Sequence, residues 1–473
     1  MVSQTAIITT EKKLSNNGDT TIHNLPNSNP PSLPFYQFSK RYTLAIFSHI
    51  GLILTISIFS YSQDVLQSNY GTIYNMRYWY KIMYVLIQIP AAIFSYKYSA
   101  THLFGICILG NSMLTMIFPI ISQWDEPPVI LVGLFHGLFM GAASPSFYSI
   151  WRYWTPPLER STLMAIGCTG LISSGVIFNL ISTSGLFNLE NILNVYGFLG
   201  IFWFFAWHWV AFEHPSQHPS ITEQELTYLQ QNITIKHETT MPSIPWKKIF
   251  FNMPIFTLIL VNFVHSLTRP MLSHVGHLIF FVNSYFFNKL LIILVISYVA
   301  DLLLRKKSIS TTNLRKIYIC GGLILSVLVI LIEPYFGWGP SIWDSIISYS
   351  ALIIYCLPFV GLFANHLDIA GQYAGITIAL TNMLIEVDMV YMLDHYLNIE
   401  IYQIIHFINR YTFNKFSYTI FVGVALLYYM YGTSKQQDLD KEEKKEEFTI
   451  STIIMGVNME VRSPLLEAPG IKH

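Results

Sequence analysis

The chain has 473 residues, 52% of them hydrophobic and only 11% charged, with 27 basic against 27 acidic side chains and a mean hydropathy of +0.45. So apolar a composition excludes a string of soluble domains, and zero net charge gives no footprint for a nucleic-acid partner. Four cysteines, Cys107, Cys168, Cys320 and Cys356, lie at unrelated spacings inside apolar runs and read as small buried residues, not disulfides or metal ligands.

Residues 1–40 are polar, rich in Asn, Ser, Thr and Pro, and read as a disordered tail with no signal peptide. A bilayer crossing needs about 20 apolar residues. Stretches of that kind run over 42–60, 78–96, 101–121, 129–151, 163–187 and 192–212, then, after a polar segment, over 249–267, 277–300, 317–333, 341–363, 373–397 and 416–432. The expectation is an all-α integral membrane protein of two six-helix halves, 41–212 and 249–432. A central loop (213–248) joins them, and tails 1–40 and 433–473 flank them. With both termini in the cytoplasm, one set of connections carries Lys40, Arg41, Lys97, Arg152, Arg160, Lys247, Lys248, Arg305, Lys306, Lys307, Arg315, Lys316 and Lys435. The opposite set carries Asp64, Asp125, Glu126, Glu190 and Glu333, with few bases such as Arg269 and Arg410. That is the positive-inside pattern. The sequon at Asn232 falls in the cytoplasmic loop and is expected to be unused. The run Gln436–Glu447 reads as a solvated, mixed-charge face.

The fourth stretch organises the chain. Gly133, Gly137 and Gly141 recur every fourth residue, stacking on one helical face where another backbone can approach. Ser144 and Pro145 follow. Trp151 and Trp154 fall where an interfacial aromatic belt would lie, Arg152 and Arg160 at a cytoplasmic exit. Pro156 and Pro157 then end the span before Leu158-Glu159-Arg160-Ser161 restarts a helix.

The run W-x-P-P-L-E-R-S after this span resembles the solute-carrier family of vesicular glutamate transporters, sialin and type I sodium–phosphate cotransporters, a branch of the major facilitator superfamily. Further segments carry the same resemblance: HPSQHPSITEQELTYL from His214, IPWKKIFFNMPIFTLILVNF from Ile244, STTNLRKIYICGG from Ser310 and NHLDIAGQYAGITIALTN from Asn365. It covers Arg41 to Asn382 and, faintly, Tyr418 to Gly432. It implies the major facilitator fold, with two halves rocking about a midplane site. It also implies secondary active transport of small organic anions or phosphate, coupled to H+ or Na+ or to membrane potential, and neither enzyme activity nor a cofactor. The expected setting is a vesicular, lysosomal or plasma membrane. Asp301, with Arg305, Lys306 and Lys307 after the eighth span, echoes Ser95-Tyr96-Lys97 after the second. In this superfamily such loops lock the cytoplasmic ends in one state. The resemblance reads the NHLDIA loop, with Asn365 and Asp368, as a cytoplasmic cap and gate contact, against a metal or catalytic reading of His366.

The family's anion transporters use arginines in the first, fourth and seventh spans, a histidine in the second and an acid in the fourth. Carried over by position, this sequence has Phe59, Gly133 and His265 at the arginine places, Arg77 at the histidine place and Met140 at the acidic one. Glu386 and Asp388 appear where the resemblance fades. Ionisable groups inside spans are costly and mark candidate sites, which leaves His265, Arg77, His136 and Arg269. His265 is either a cation switchable near neutral pH or a hydrogen-bonded packing histidine. His136 is a packing or site residue. Arg77 and Arg269 either snorkel to the far interface or form a cationic vestibule there. Tyr148 and Ser144 either bind substrate or bond a neighbouring helix. Two alternatives stay open: a transport-dead paralogue acting as sensor or partner, and an integral-membrane transferase using buried histidines.

Overall fold

In the computed structural model, residues 39–55, 70–185, 188–233, 243–273, 282–332, 342–386, 419–437 and 439 are described, and every element among them is helical. The first half comprises α1 (Lys40–Leu54), α2 (Tyr70–Lys97), α3 (Ala100–Ile121), α4 (Glu126–Trp151), α5 (Arg160–Cys168), α6 (Gly170–Thr183) and α7 (Leu189–Val210). Two short helices, α8 (Glu223–Asn232) and α9 (Trp246–Phe251), occupy the central segment. The second half comprises α10 (Met253–Ser273), α11 (Val282–Arg305), α12 (Thr311–Ile332), α13 (Ile342–Ala370), α14 (Ala374–Glu386) and α15 (Thr419–Tyr431). Each of the twelve expected spans contains helix. Seven helices among the described residues are long and apolar enough to cross a membrane.

Local sequence explains the boundaries. Ser99 caps α3 by accepting the His102 N–H, and Thr222 caps α8 by accepting that of Glu225. Pro127 and Pro128 open α4, where missing N–H groups cost nothing. Gly371 adopts φ +51° in the turn between α13 and α14, a left-handed geometry that suits glycine.

Four expectations need correction. Helix α2 starts at Tyr70, a full two turns before the expected span, and continues through an internal Pro90. The fifth span is broken at Thr169, where the His49 ring bonds the Ile166 carbonyl and the Thr169 hydroxyl bonds the Ala165 carbonyl. NHLDIA is not a loop: Asn365 to Asp368 form the last turns of α13. Finally, Trp151 and Trp154 do not face lipid. Both are buried, and the Trp154 indole donates to the Phe212 carbonyl at 3.0 Å. The aromatic face that does point outward is on α7, where Phe198, Phe202, Phe205 and Trp209 are all more than 60% exposed. On its inner side Trp203 and Trp207 stack at 4.9 Å and donate to the Phe47 and Thr101 carbonyls, clamping α1 and α3.

The central segment works as a strap. Glu225 accepts the first backbone N–H groups of α1, those of Lys40 and Arg41, at 3.0 and 3.2 Å. Glu213 does the same for Ala100 and Thr101 at the start of α3, at 2.9 and 3.1 Å. A carboxylate at a helix N-terminus satisfies orphan donors and complements the dipole. Asn232, the sequon residue, is buried and donates to the Tyr228 carbonyl.

Candidate functional site

The two halves meet through charge at the end that carries the central segment. Glu159, between α4 and α5, accepts from Arg41 at 2.7 Å and from Arg305 of α11 at 3.1 Å. Arg160 reaches Asp368 of α13 at 2.6 Å, and the same carboxylate accepts from Arg315 of α12 at 2.8 Å. Arg315 also donates to the Ser161 hydroxyl at 2.9 Å. Asp301 crosses the other way and accepts the Ser161 and Thr162 N–H groups at 3.2 and 2.7 Å, capping α5 from α11. Asp301 is therefore a helix cap across the seam, not a loop charge. Arg315 and Asp368 are almost wholly shielded from water. A paired network of this kind favours one arrangement, and breaking one partner strands a buried charge. The bases Arg41, Arg152, Arg160, Arg305 and Arg315 are thus ion-pair partners rather than plain topological anchors, Arg152 pairing with Glu213 at 3.2 Å.

The twin-proline turn makes this geometry possible. Pro156 and Pro157 interrupt the chain between α4 and α5, so Glu159 and Arg160 leave the end of one span and face the other half. The Asn365 amide donates to the Tyr428 hydroxyl of α15, and the segment after α15 returns to α13 through Gln437 N–H to the Ile369 carbonyl at 2.9 Å. His366 is buried, bonded to Thr377 at 3.1 Å, with Asn262 at 3.4 Å. Among the described residues no cluster of three or more His, Cys, Asp or Glu could hold a metal ion.

Inside the spans, the glycines form a ridge against α2. A Cβ on Gly133 would lie 2.5 Å from the Met76 carbonyl oxygen, one on Gly141 2.6 Å from that of Tyr84, and one on Gly137 would strike that of Tyr80. Gly133 sits at a place where the family resemblance implies an arginine; here no side chain fits. His136, beside the ridge, is buried, bonded through Nδ1 to Asn111 and packed against the tilted Tyr80 ring at 5.1 Å. Ser144 accepts from Asn382 of α14 at 2.8 Å, and Tyr148 is buried edge-on to His366 at 5.8 Å. Pro145 and Ser149 press against Gly375, where a Cβ would lie 2.8 Å from the Pro145 carbonyl oxygen.

The second half holds a different arrangement. His265 of α10 is buried between Tyr355 and Phe359 of α13, stacked on the first at 4.9 Å and edge-on to the second at 4.8 Å. Over the same two rings, at 4.7 and 4.9 Å, lies the ammonium of Lys289 from α11. Lys289 is itself buried. A lysine and a histidine thus share one aromatic pocket built by three helices, where cation–π contact holds the ammonium. The sequence reading did not single out Lys289, although a lone lysine in the apolar run YFFNKLLIILV is the signal for it. Arg77 is half-buried on α2. Arg269 belongs to the last turns of α10, where side chains lie outside the described residues, as do Phe59, Asp388 and the tail residues 1–38 and 440–473. The C-terminal tail is not solvated at its start, since Gln437 bonds the Ile369 carbonyl and Leu439 is buried.

A model of the Major Facilitator Superfamily matches residues 42–387. Vesicular glutamate transporter 1 of Bos taurus is 30% identical over 338 residues, a match that covers 66% of this chain and 58% of the relative. Vesicular glutamate transporter 2 of Homo sapiens is 30% identical over 346 residues, covering 66% and 56%. The match therefore spans less than two thirds of the length of these relatives. Among solved structures, the proton:xylose symporter XylE bound to 6-bromo-6-deoxy-D-glucose aligns with a TM-score of 0.59 at 13% identity, covering 84% of this chain and 97% of the symporter. That likeness is one of fold alone.

Proposed function

Since the chain belongs to the Major Facilitator Superfamily and is a multi-pass membrane transporter, not an enzyme, we propose that it carries small organic anions across the bilayer by alternating access. The observation that carries this reading is the pocket of Lys289 and His265 between Tyr355 and Phe359. An anion crossing a membrane needs a fixed positive group out of water, and a buried ammonium in an aromatic setting supplies one. The similarity to vesicular glutamate transporters supports a carboxylate-bearing substrate and a vesicular, lysosomal or plasma-membrane setting. The charged seam between the halves suits a gate on the cytoplasmic side, with both termini and the 213–248 segment there. The halves 41–212 and 249–432 would rock against each other with H+, Na+ or membrane potential as the drive. His265, Arg77, His136, Tyr148, Ser144 and Arg269 remain proposed contributors to the substrate path, with Lys289 added as its leading cation.

The test is uptake of radiolabelled glutamate, sialate, urate and phosphate into proteoliposomes, with and without imposed gradients. Saturable uptake of at least one, lost in Lys289→Met, supports the proposal. A second reading, a transport-dead paralogue acting as sensor or partner, is favoured by one observation: the arginine place at Gly133 is filled by a backbone carbonyl. Binding of an anion without any uptake would select it.

A further inference from the structure

After α15 the chain turns back under the second half and touches the two helices that present Arg315 and Asp368 to the seam. The Ser434 N–H donates to the Thr312 hydroxyl at 3.2 Å, and the two hydroxyls lie 2.9 Å apart, one turn before Arg315 on α12. Gln436 lies against the turn that follows α13, where a Cβ on Gly371 would sit 2.7 Å from its amide nitrogen. Gln437 donates its N–H to the Ile369 carbonyl at 2.9 Å, next to Asp368, and its side chain accepts from the Asn252 amide at 3.2 Å. Asn252 in turn caps α10 by accepting the Ile255 N–H at 3.1 Å. Lys248 of α9 donates to the Leu439 carbonyl at 2.6 Å, and the Leu439 side chain is buried.

A helix C-terminus leaves carbonyls without intrahelical partners. Gln437 satisfies one of them on α13 while its side chain reaches the start of α10, so a single tail residue joins two helix ends. Leu439 adds an apolar plug. It belongs to the buried cluster that includes Tyr373 and, from the first half, Tyr96, whose rings pack at 5.2 Å across the halves. The seam and the tail are held by different means. Separating the buried ion pairs of the seam strands charge. The tail is held by hydrogen bonds, most of them between neutral groups near a chain end, and such a segment opens locally at far less cost than the helices it covers. Ordering and release of a segment of this kind can bias a two-state assembly, provided the segment fits one state better than the other.

We propose that residues 434–437 and Leu439 form a latch on the cytoplasmic end, an inference that rests on the alternating-access reading above but on no particular substrate. Docked, the latch holds the ends of α12 and α13 so that Arg315 and Asp368 meet Arg160 and the end stays shut. Released, it lets that end open. A cytoplasmic factor that draws the tail away would thus turn the carrier inward without touching the substrate path.

The experiment uses purified full-length protein in nanodiscs and needs no substrate. A cysteine replaces buried Ser149, which lies against Gly375 of the other half, and its reaction with a polar maleimide is followed by peptide mapping. Leu439→Asp and Gln437→Ala should each raise the labelling rate at least about fivefold, the lower end of ordinary coupling between two sites. Leu439→Met should stay at the parent rate. The native Cys107 and Cys356, buried one in each half, report general loosening and should stay unlabelled throughout. Gln437→Ala adds no buried charge and keeps the test open if Leu439→Asp fails to fold. Parent-rate labelling at position 149 in the folded release variants overturns the proposal. So does labelling of Cys107 or Cys356 alongside position 149, since the tail would then be plain scaffold. Faster labelling at position 149 alone, in a protein that moves no tested anion, would leave the latch standing and sink the anion-transport reading instead.

Discussion

Inside its spans the first half packs by omission. Gly133, Gly137 and Gly141 drop their side chains so that α2 can rest its carbonyls on α4, and His136 bonds Asn111 and packs against the Tyr80 ring. The second half packs around charge, with the Lys289 ammonium and the His265 ring filling one pocket with Tyr355 and Phe359. Close backbone contact leaves no adjustable volume, whereas long side chains over aromatic rings can reorient. On the proposed function, the first half would supply a stiff wall and the second would take the anion, with the charged seam between them setting which end is shut.

The stiff wall is where a single change should do most damage. Gly137→Leu drives a side chain into the Tyr80 carbonyl, and overpacking of an ordinary contact costs about 1–3 kcal/mol. Here the obstacle is backbone, which cannot rotate away. We expect the variant to lose most of its monodisperse, membrane-inserted yield; a parent-like melting temperature would show that the ridge is not a rigid contact. Next in size comes the seam. Asp368→Asn leaves Arg160 and Arg315 facing a neutral amide, and breaking a buried pair costs about 3–5 kcal/mol. Since that pair spans the halves, the loss should appear as opening as well as melting. A cysteine at buried Ser149 should react faster with an impermeant maleimide in Asp368→Asn than in the parent. Equal rates would mean that the seam does not hold this end shut.

The strap across the first half should give a smaller effect. Glu225→Gln removes the charge that caps α1 and pairs with Arg41. A charge-assisted cap is worth about 1–3 kcal/mol, and proteolysis near residue 233 should accelerate without loss of the α2–α4 contact. The smallest concerns His218, outside the spans, whose burial and nearby Lys40 push its ring below the ordinary histidine range. The folded form prefers the neutral ring. Its contribution is therefore full above the unfolded value of about 6.5 and is lost as pH falls through the lower folded one. His218→Gln should flatten the acid limb of the melting-temperature profile slightly; an unchanged limb would show that the ring does not report there.

Much of the fold was legible because hydrophobic length and the K/R pattern are direct consequences of crossing a bilayer, and the twin prolines mark a break in any helix. The glycine spacing announced a close contact, but not that α2 is the partner, since a one-faced pattern does not name what covers it. The charged seam was half legible. Glu159, Arg160, Asp301 and Asp368 were singled out, yet their pairing across the halves depends on tertiary placement that no spacing within one helix encodes. Trp151 and Trp154 were misread because an aromatic at a span end looks the same in sequence whether it meets headgroups or another helix. Lys289 is a lone charge in an apolar run, the plain mark of a buried cation, but nothing in that run names the rings of α13 that surround it.

Anion recognition by Lys289 in the second half is what we propose. Equilibrium binding of a transported radiolabelled anion to purified parent, Lys289→Met, Lys289→Arg and His265→Ala protein tests it most directly. The account predicts binding lost by at least tenfold in Lys289→Met, restored in large part by Lys289→Arg, and weakened less in His265→Ala, with all four melting alike. Parent-level affinity in Lys289→Met would contradict it.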